Sequence, residues 1–237
     1  MKRRTLDIAF AIGGVVFSML LLVVGLILVN QKNFATDYVQ RELTDQKINF
    51  TPAKFLSDEE KKAACLVNYG TTNGDATKGQ LMATGKMAEC YANAYIRLHT
   101  QEAAKAAGYD GATFSTMGKF VRPGAQGSLV DALDAAKKTG DQAKIDGATK
   151  ALGTATGLRS TLQTGETLRG LLLTTYGFSV FGDRAGQAAW VLFVGAFVVF
   201  LLSIAGFVHA FASRKADDLI LVAEHHEHLE HKELINA

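Results

Sequence analysis

The chain has 237 residues and a formal charge of +2, so it lacks the basic footprint that nucleic-acid binding requires. The charge is unevenly divided: the stretch beyond Ser213 holds three Lys/Arg against six Asp/Glu, while the middle of the chain is mildly basic. Two long apolar runs leave room between them for one small domain.

Residues 1–7 form a short basic head containing Lys2, Arg3 and Arg4. Ile8–Val29 (IAFAIGGVVFSMLLLVVGLILV) carries no charge, and about 20 such residues cover the roughly 30 Å hydrocarbon core of a bilayer as a helix. Ala188–Phe211 (AAWVLFVGAFVVFLLSIAGFVHAF) is the second such run. The first is too long for the apolar region of a cleaved signal peptide, and no small-x-small pattern follows it, so it reads as an anchor. Basic residues favour the cytoplasmic side. Lys2–Arg4 before the first run and Arg214–Lys215 after the second therefore place both termini inside, and residues 30–187 outside, the plasma membrane. Small residues recur on one stripe of each run, predicting an antiparallel seam that pairs Ala11 with Ala210, Gly14 with Gly206, Ser18 with Ser203 and Gly25 with Ala196. Trp190 falls where an interfacial anchor belongs.

Beyond Val29, Phe34, Tyr38 and Leu43 keep near-helical spacing, so the first helix is expected to continue to about Ile48. Pro52 ends it, with Asn49–Phe55 extended. Ser57-Asp58-Glu59-Glu60 has the residues of a capping box and predicts a helix over Asp58–Tyr69. Gly70–Asp75 breaks the pattern. Met87, Tyr91, Ala94 and Leu98 then share one helical face, with Cys90 and Tyr95 at its edges.

Cys65 and Cys90 are the only cysteines, and outside the membrane they are expected to be oxidised. Bridging requires Cα atoms within about 7 Å. If the second helix began at Lys78, Cys90 would lie roughly 18 Å along it, out of reach. A start near Thr84, a good N-cap, sets the two cysteines at similar depth. The expectation is a Cys65–Cys90 disulfide joining two antiparallel helices across a long loop, Gly70–Ala83.

Gly108–Gly127, Gly-rich with Pro123, reads as loop. Ser128–Lys138 is a short amphipathic helix, and Thr139-Gly140-Asp141 a turn. The stretch to about Gln163 is rich in Ala, Thr and Gly and predicts a marginal helix. Thr167–Phe181 is uncharged between Arg169 and Asp183, too short to span, and is expected as an amphipathic segment along the outer membrane surface or packed on the helical domain. No strand signal appears. The fold class is therefore an all-α membrane protein, two transmembrane helices (8–29 and 188–211) flanking a helical extracytoplasmic domain (30–187), with a cytoplasmic tail (212–237).

Chemistry is sparse. His225, His228 and His231 alternate with Glu224, Glu227 and Glu230, residue types that suit zinc, copper or nickel. One short helix completes no coordination shell, so a solvated charged face is the reading and no metal site is assigned. His99 and His209 have no partner in sequence. Gly79–Lys86 (GQLMATGK) departs from a phosphate-binding loop by one extra residue and by Met87 in place of Ser/Thr. No catalytic set and no cofactor motif is found, and apart from His209 at the inner end of the second span neither span carries an acid or base for an ion relay.

The segments RRTLDIAFAIGGV, NFATDYVQREL, FTPAKFLSDEE and GETLRGLLLTTYGFSVFGDRAGQAA resemble a family of uncharacterised actinobacterial two-span membrane proteins, over most of the chain apart from Gly108–Lys150 and the tail. The resemblance implies a plasma-membrane hairpin with an extracytoplasmic domain. Some members carry the label aromatic-ring-opening dioxygenase. Such an iron site needs two His and a carboxylate on a rigid frame, and outside the tail this chain offers only His99 and His209. The functional expectation is thus a non-enzymatic envelope protein in contact with the lipid bilayer and with other subunits of a membrane complex. The alternatives are a metal sensor acting through the tail and, behind it, a ring-opening metalloenzyme.

Overall fold

The computed structural model describes residues 3–212, and every regular element among them is helical. The chain runs through α1 (Arg3–Asp45), a 3-10 turn (Ala53–Phe55), α2 (Asp58–Lys61) and α3 (Ala64–Tyr69). There follow α4 (Gly85–Cys90), a π-helical run (Tyr91–Ile96), α5 (Arg97–Ala106), α6 (Phe114–Val121), α7 (Leu129–Thr139) and α8 (Gln142–Ala212). Contacts divide the described residues into two units, residues 3–32 with 183–212 and Asn33–Gly182.

The first unit consists of one end each of α1 and α8. Both helices are long and apolar enough to cross a membrane, with windows of mean hydropathy 2.9 and 2.8 of which only 11% is buried. The core helix of a soluble protein would hide such a window. Here Phe10, Val191 and Leu202 are instead 74%, 72% and 67% exposed. Burial is confined to small residues, Ala11, Ser18, Ala189, Ala196, Ser203 and Ala210. The seam is therefore present, but its register differs from the sequence expectation by about one turn. Gly14 faces Ser203 and Val199, Gly206 faces the Ala11 methyl at 3.5 Å, and Gly25 lies against the Phe193 ring. The reason is size: Phe193 fills the space opposite Gly25 that the small-on-small pairing would have given to Ala196.

In the second unit the Ser57 capping box is complete. Ser57 Oγ accepts from the Glu60 N–H at 3.2 Å, and the Ser57 N–H donates to Glu60 Oε2 at 2.7 Å. The helix predicted over Asp58–Tyr69 is nevertheless broken, with Ala63 extended at φ −90°, ψ 98°. Glu60 meets His99, and Cys65 meets Cys90, on the same partner helix. An unbroken helix at 3.6 residues per turn would point them about 140° apart. Thr84 caps the next helix by accepting from the Met87 N–H at 3.2 Å. Cys65 and Cys90 are joined in a disulfide with Cα atoms 6.1 Å apart.

The loop between these helices is pinned to residues 48–54 rather than left free. Phe50 N–H donates to the Gln80 carbonyl (2.9 Å), Met82 to Ile48 (2.8 Å) and Ala53 to Gly70 (2.7 Å). A Cβ on Gly79 would overlap the Phe50 carbonyl, so only glycine allows this approach. Asn49–Phe55 is extended only as far as Pro52, after which the 3-10 turn follows. Phe50, Leu56, Leu66, Met82, Met87, Ile96 and Leu172 form the first core.

A second core gathers Ala104, Met117, Ala155, Leu158 and Leu162. It overturns the loop reading of Gly108–Gly127, because Phe114–Val121 is the helix α6. Thr113 caps it by accepting from the Thr116 N–H at 3.2 Å, while Thr116 Oγ1 takes the Thr113 N–H at 2.8 Å. Thr116 stands where a capping box usually has Glu or Gln. α7 begins at its Ser128 cap and ends at Gly140, φ 68°. The stretch read as a marginal helix, and Thr167–Phe181 after it, are not separate elements. Both lie inside the 71-residue α8, which has no break. Ala155, Leu158, Leu162 and Leu172 are buried along it, and tertiary burial outweighs the weak intrinsic propensity of its glycines. Thr167–Phe181 is thus no distinct surface segment: Leu172 belongs to the first core while Leu171 remains exposed.

Candidate functional site

The helix that Thr84 starts changes pitch directly after Cys90. Tyr91–Ile96 is π-helical, a rare local geometry frequently found at functional sites. It aligns Tyr91, Tyr95 and His99 at i, i+4 and i+8 as a ladder of rings. Phe50 packs edge-on to Tyr91 at 5.6 Å, Tyr91 stacks on Tyr95 at 4.7 Å, and Tyr95 meets the His99 ring at 4.3 Å.

Opposite this ladder, α8 presents Gly157, Ser160, Thr161, Thr164, Gly165 and Leu168. The two helices approach closely at Gly165, where a Cβ would overlap the Thr100 methyl, and at Gly85, where one would overlap Ser179. Between them lies an open groove of about 600 Å³, bounded also by Ile96 and Thr100. No Asp, Glu, Lys or Arg lines it. Nearby cations are engaged elsewhere: Arg159 lies 4.0 Å over the Phe114 ring, and Arg169 pairs with Glu166 at 2.9 Å.

His99 sits between two carboxylates, with Nε2 3.2 Å from Glu60 Oε1 and Nδ1 3.4 Å from Glu102 Oε2. Burial alone would raise the pKa of Glu60. The Ser57 backbone and hydroxyl hydrogen bonds, with the His99 contact, outweigh it and hold the carboxyl below its ordinary value. That direction is opposite to the one a general acid needs at neutral pH. Burial also pushes the Tyr91 hydroxyl up, helped by the adjacent Tyr95, so it stays protonated and able to donate.

The residues singled out in the sequence are scattered. Cys65 and Cys90 border a smaller cleft of about 370 Å³ with Tyr69, Lys86, Glu89 and Asn93. His209 lines a groove of the other unit with Asp7, Gly14 and Ser203. His225, His228 and His231 lie outside the described residues. Among the described residues no three His, Cys, Asp or Glu are grouped as a metal would need. The ladder itself was missed, although its i, i+4, i+8 aromatic spacing and the small hydroxyl stripe Ser160-Thr161-Thr164 are both visible in the sequence. The Glu60–His99 pairing, 39 residues apart, had no sequence signal. No protein-family model, curated protein or solved structure matches the chain.

Proposed function

We propose that this chain is a non-enzymatic integral membrane protein of the cell envelope, working by binding, as an accessory or scaffold subunit of a larger membrane complex. In this reading the apolar lengths of α1 and α8 cross the plasma membrane, both termini are cytoplasmic, and the disulfide-bearing unit Asn33–Gly182 lies outside. The observation that carries it is the outward-facing apolar surface of those two helices. Phe10, Phe17, Leu26, Val191, Phe197 and Leu202 all present large apolar side chains outward, far more than soluble monomers expose. Binding is favoured over catalysis because the best-placed ionisable pair is already engaged: Glu60 closes the Ser57 cap, and His99, which lines the groove, turns its ring nitrogens to Glu60 and Glu102.

The topology is tested by single added cysteines and a membrane-impermeant thiol reagent in intact cells. Asp134→Cys should label, whereas Ser213→Cys and Glu230→Cys should label only after permeabilisation. Labelling of either of the last two in intact cells refutes the arrangement. The subunit reading is tested by crosslinking in native membranes. Recovery of the chain with no crosslinked protein besides itself refutes it.

A further inference from the structure

We propose that the groove between α8 and the helix Gly85–Ala106 binds a neutral saccharide. The inference goes beyond the topology above and rests only on reading the Asn33–Gly182 unit as a binder.

The groove has the size of a small-ligand site, which usually falls near 300–1,000 Å³. Its lining excludes charged ligands: there is no Lys or Arg to meet a phosphate or carboxylate, and both ring nitrogens of His99 face the carboxylates of Glu60 and Glu102. Unused hydrogen-bonding capacity then decides between an apolar ligand and a hydroxylated one. The hydroxyls of Tyr91, Tyr95, Ser160 and Thr164 make no hydrogen bond within the described residues. Thr161 and Thr100 donate to the Gly157 and Arg97 carbonyls and retain lone pairs to accept. A purely apolar occupant would bury these groups without partners, which is costly.

A pyranose ring satisfies both halves of the site. Its C–H groups make apolar contact with the half-buried Tyr91 and Tyr95 rings and with Ile96 and Leu168, and its hydroxyls both donate and accept. The π-helical run supplies the alignment, holding the two tyrosines on the same side as the α8 hydroxyls. A free oligosaccharide and a glycolipid headgroup present the same ring chemistry.

The test uses the full chain in lipid nanodiscs, with maltotetraose and mannotetraose as probes and saturation-transfer NMR as the readout. Saturable binding of at least one probe below ~10 mM is expected. Tyr95→Ala should weaken it at least about tenfold and Thr164→Val about threefold, while Gly147→Ala on exposed α8 leaves it unchanged. Thr164→Val keeps the shape and removes only the hydroxyl, so it remains informative if Tyr95→Ala fails to fold. A second arm compares methyl glucoside with octyl glucoside: tighter binding of the octyl form identifies a glycolipid headgroup, and equal binding a free sugar. No saturable binding of any of these sugars, binding indifferent to both groove variants, or equal competition by octanoate or glucose 6-phosphate overturns the proposal. Mass spectrometry of the recovered probe separates the two readings. A cleaved probe supports the groove and refutes the non-enzymatic assignment, whereas an intact probe supports both.

Discussion

Removing the Cys65–Cys90 bridge by the double change Cys65→Ala/Cys90→Ala should destabilise the Asn33–Gly182 unit by several kcal/mol. The bridge spans a sequence separation of 25 residues. Loop-closure entropy for such a loop in the unfolded chain gives about 3.5 kcal/mol. Native contacts do not replace that term. α3 is only six residues long, far below the length at which a helix holds alone. The hydrogen bonds from Gly70–Ala83 to residues 48–54 survive the substitution but exist only once the unit has folded. For a unit of this size the loss corresponds to a fall in melting temperature of roughly 7–14 °C. Calorimetry of the nanodisc-embedded protein, compared with the wild type under non-reducing conditions, measures it. A loss below ~1 kcal/mol would refute the reasoning. So would recovery of both cysteines as alkylatable thiols from the untreated native protein.

Glu60 makes stability depend on acid. Its folded pKa lies below the ordinary 4.5, so its contribution is complete above about pH 4.5 and is lost as pH falls through the folded value. Melting curves from pH 7 to pH 3 should show that loss, and Glu60→Gln should flatten the slope while costing about 1 kcal/mol at neutral pH; an unchanged slope counts against the assignment. Gly79→Ala forces a methyl into the Phe50 carbonyl and should destabilise by about 2 kcal/mol or more, read by urea titration. Gly147→Ala and Gly153→Ala meet open space on α8 and should each add roughly 0.5–1 kcal/mol, so a loss from either would show that the helix is not continuous there.

Much of this molecule is written locally. The two apolar runs are legible because membrane-crossing length is a property of consecutive residues. The starts of α2, α4 and α7 are legible because Ser57, Thr84 and Ser128 act on N–H groups only three residues away. The cysteine spacing, combined with the Thr84 cap, set the loop length and hence which residues stand at equal depth. What local pattern could not carry was decided by partners distant in sequence. Glu60 and Cys65 both had to face the helix Gly85–Ala106, so the predicted Asp58–Tyr69 helix broke at Ala63. Met117, buried against Ala104 and Leu158, made a helix within a Gly-rich stretch. Phe193 shifted the seam by a turn, because a ring opposite Gly25 leaves no space for the small-on-small register. The groove is the clearest case. Its tyrosines and its α8 hydroxyls lie about 70 residues apart in sequence, and the packing of α8 on the helix Gly85–Ala106, at Gly165 against Thr100 and at Gly85 against Ser179, sets them across from one another.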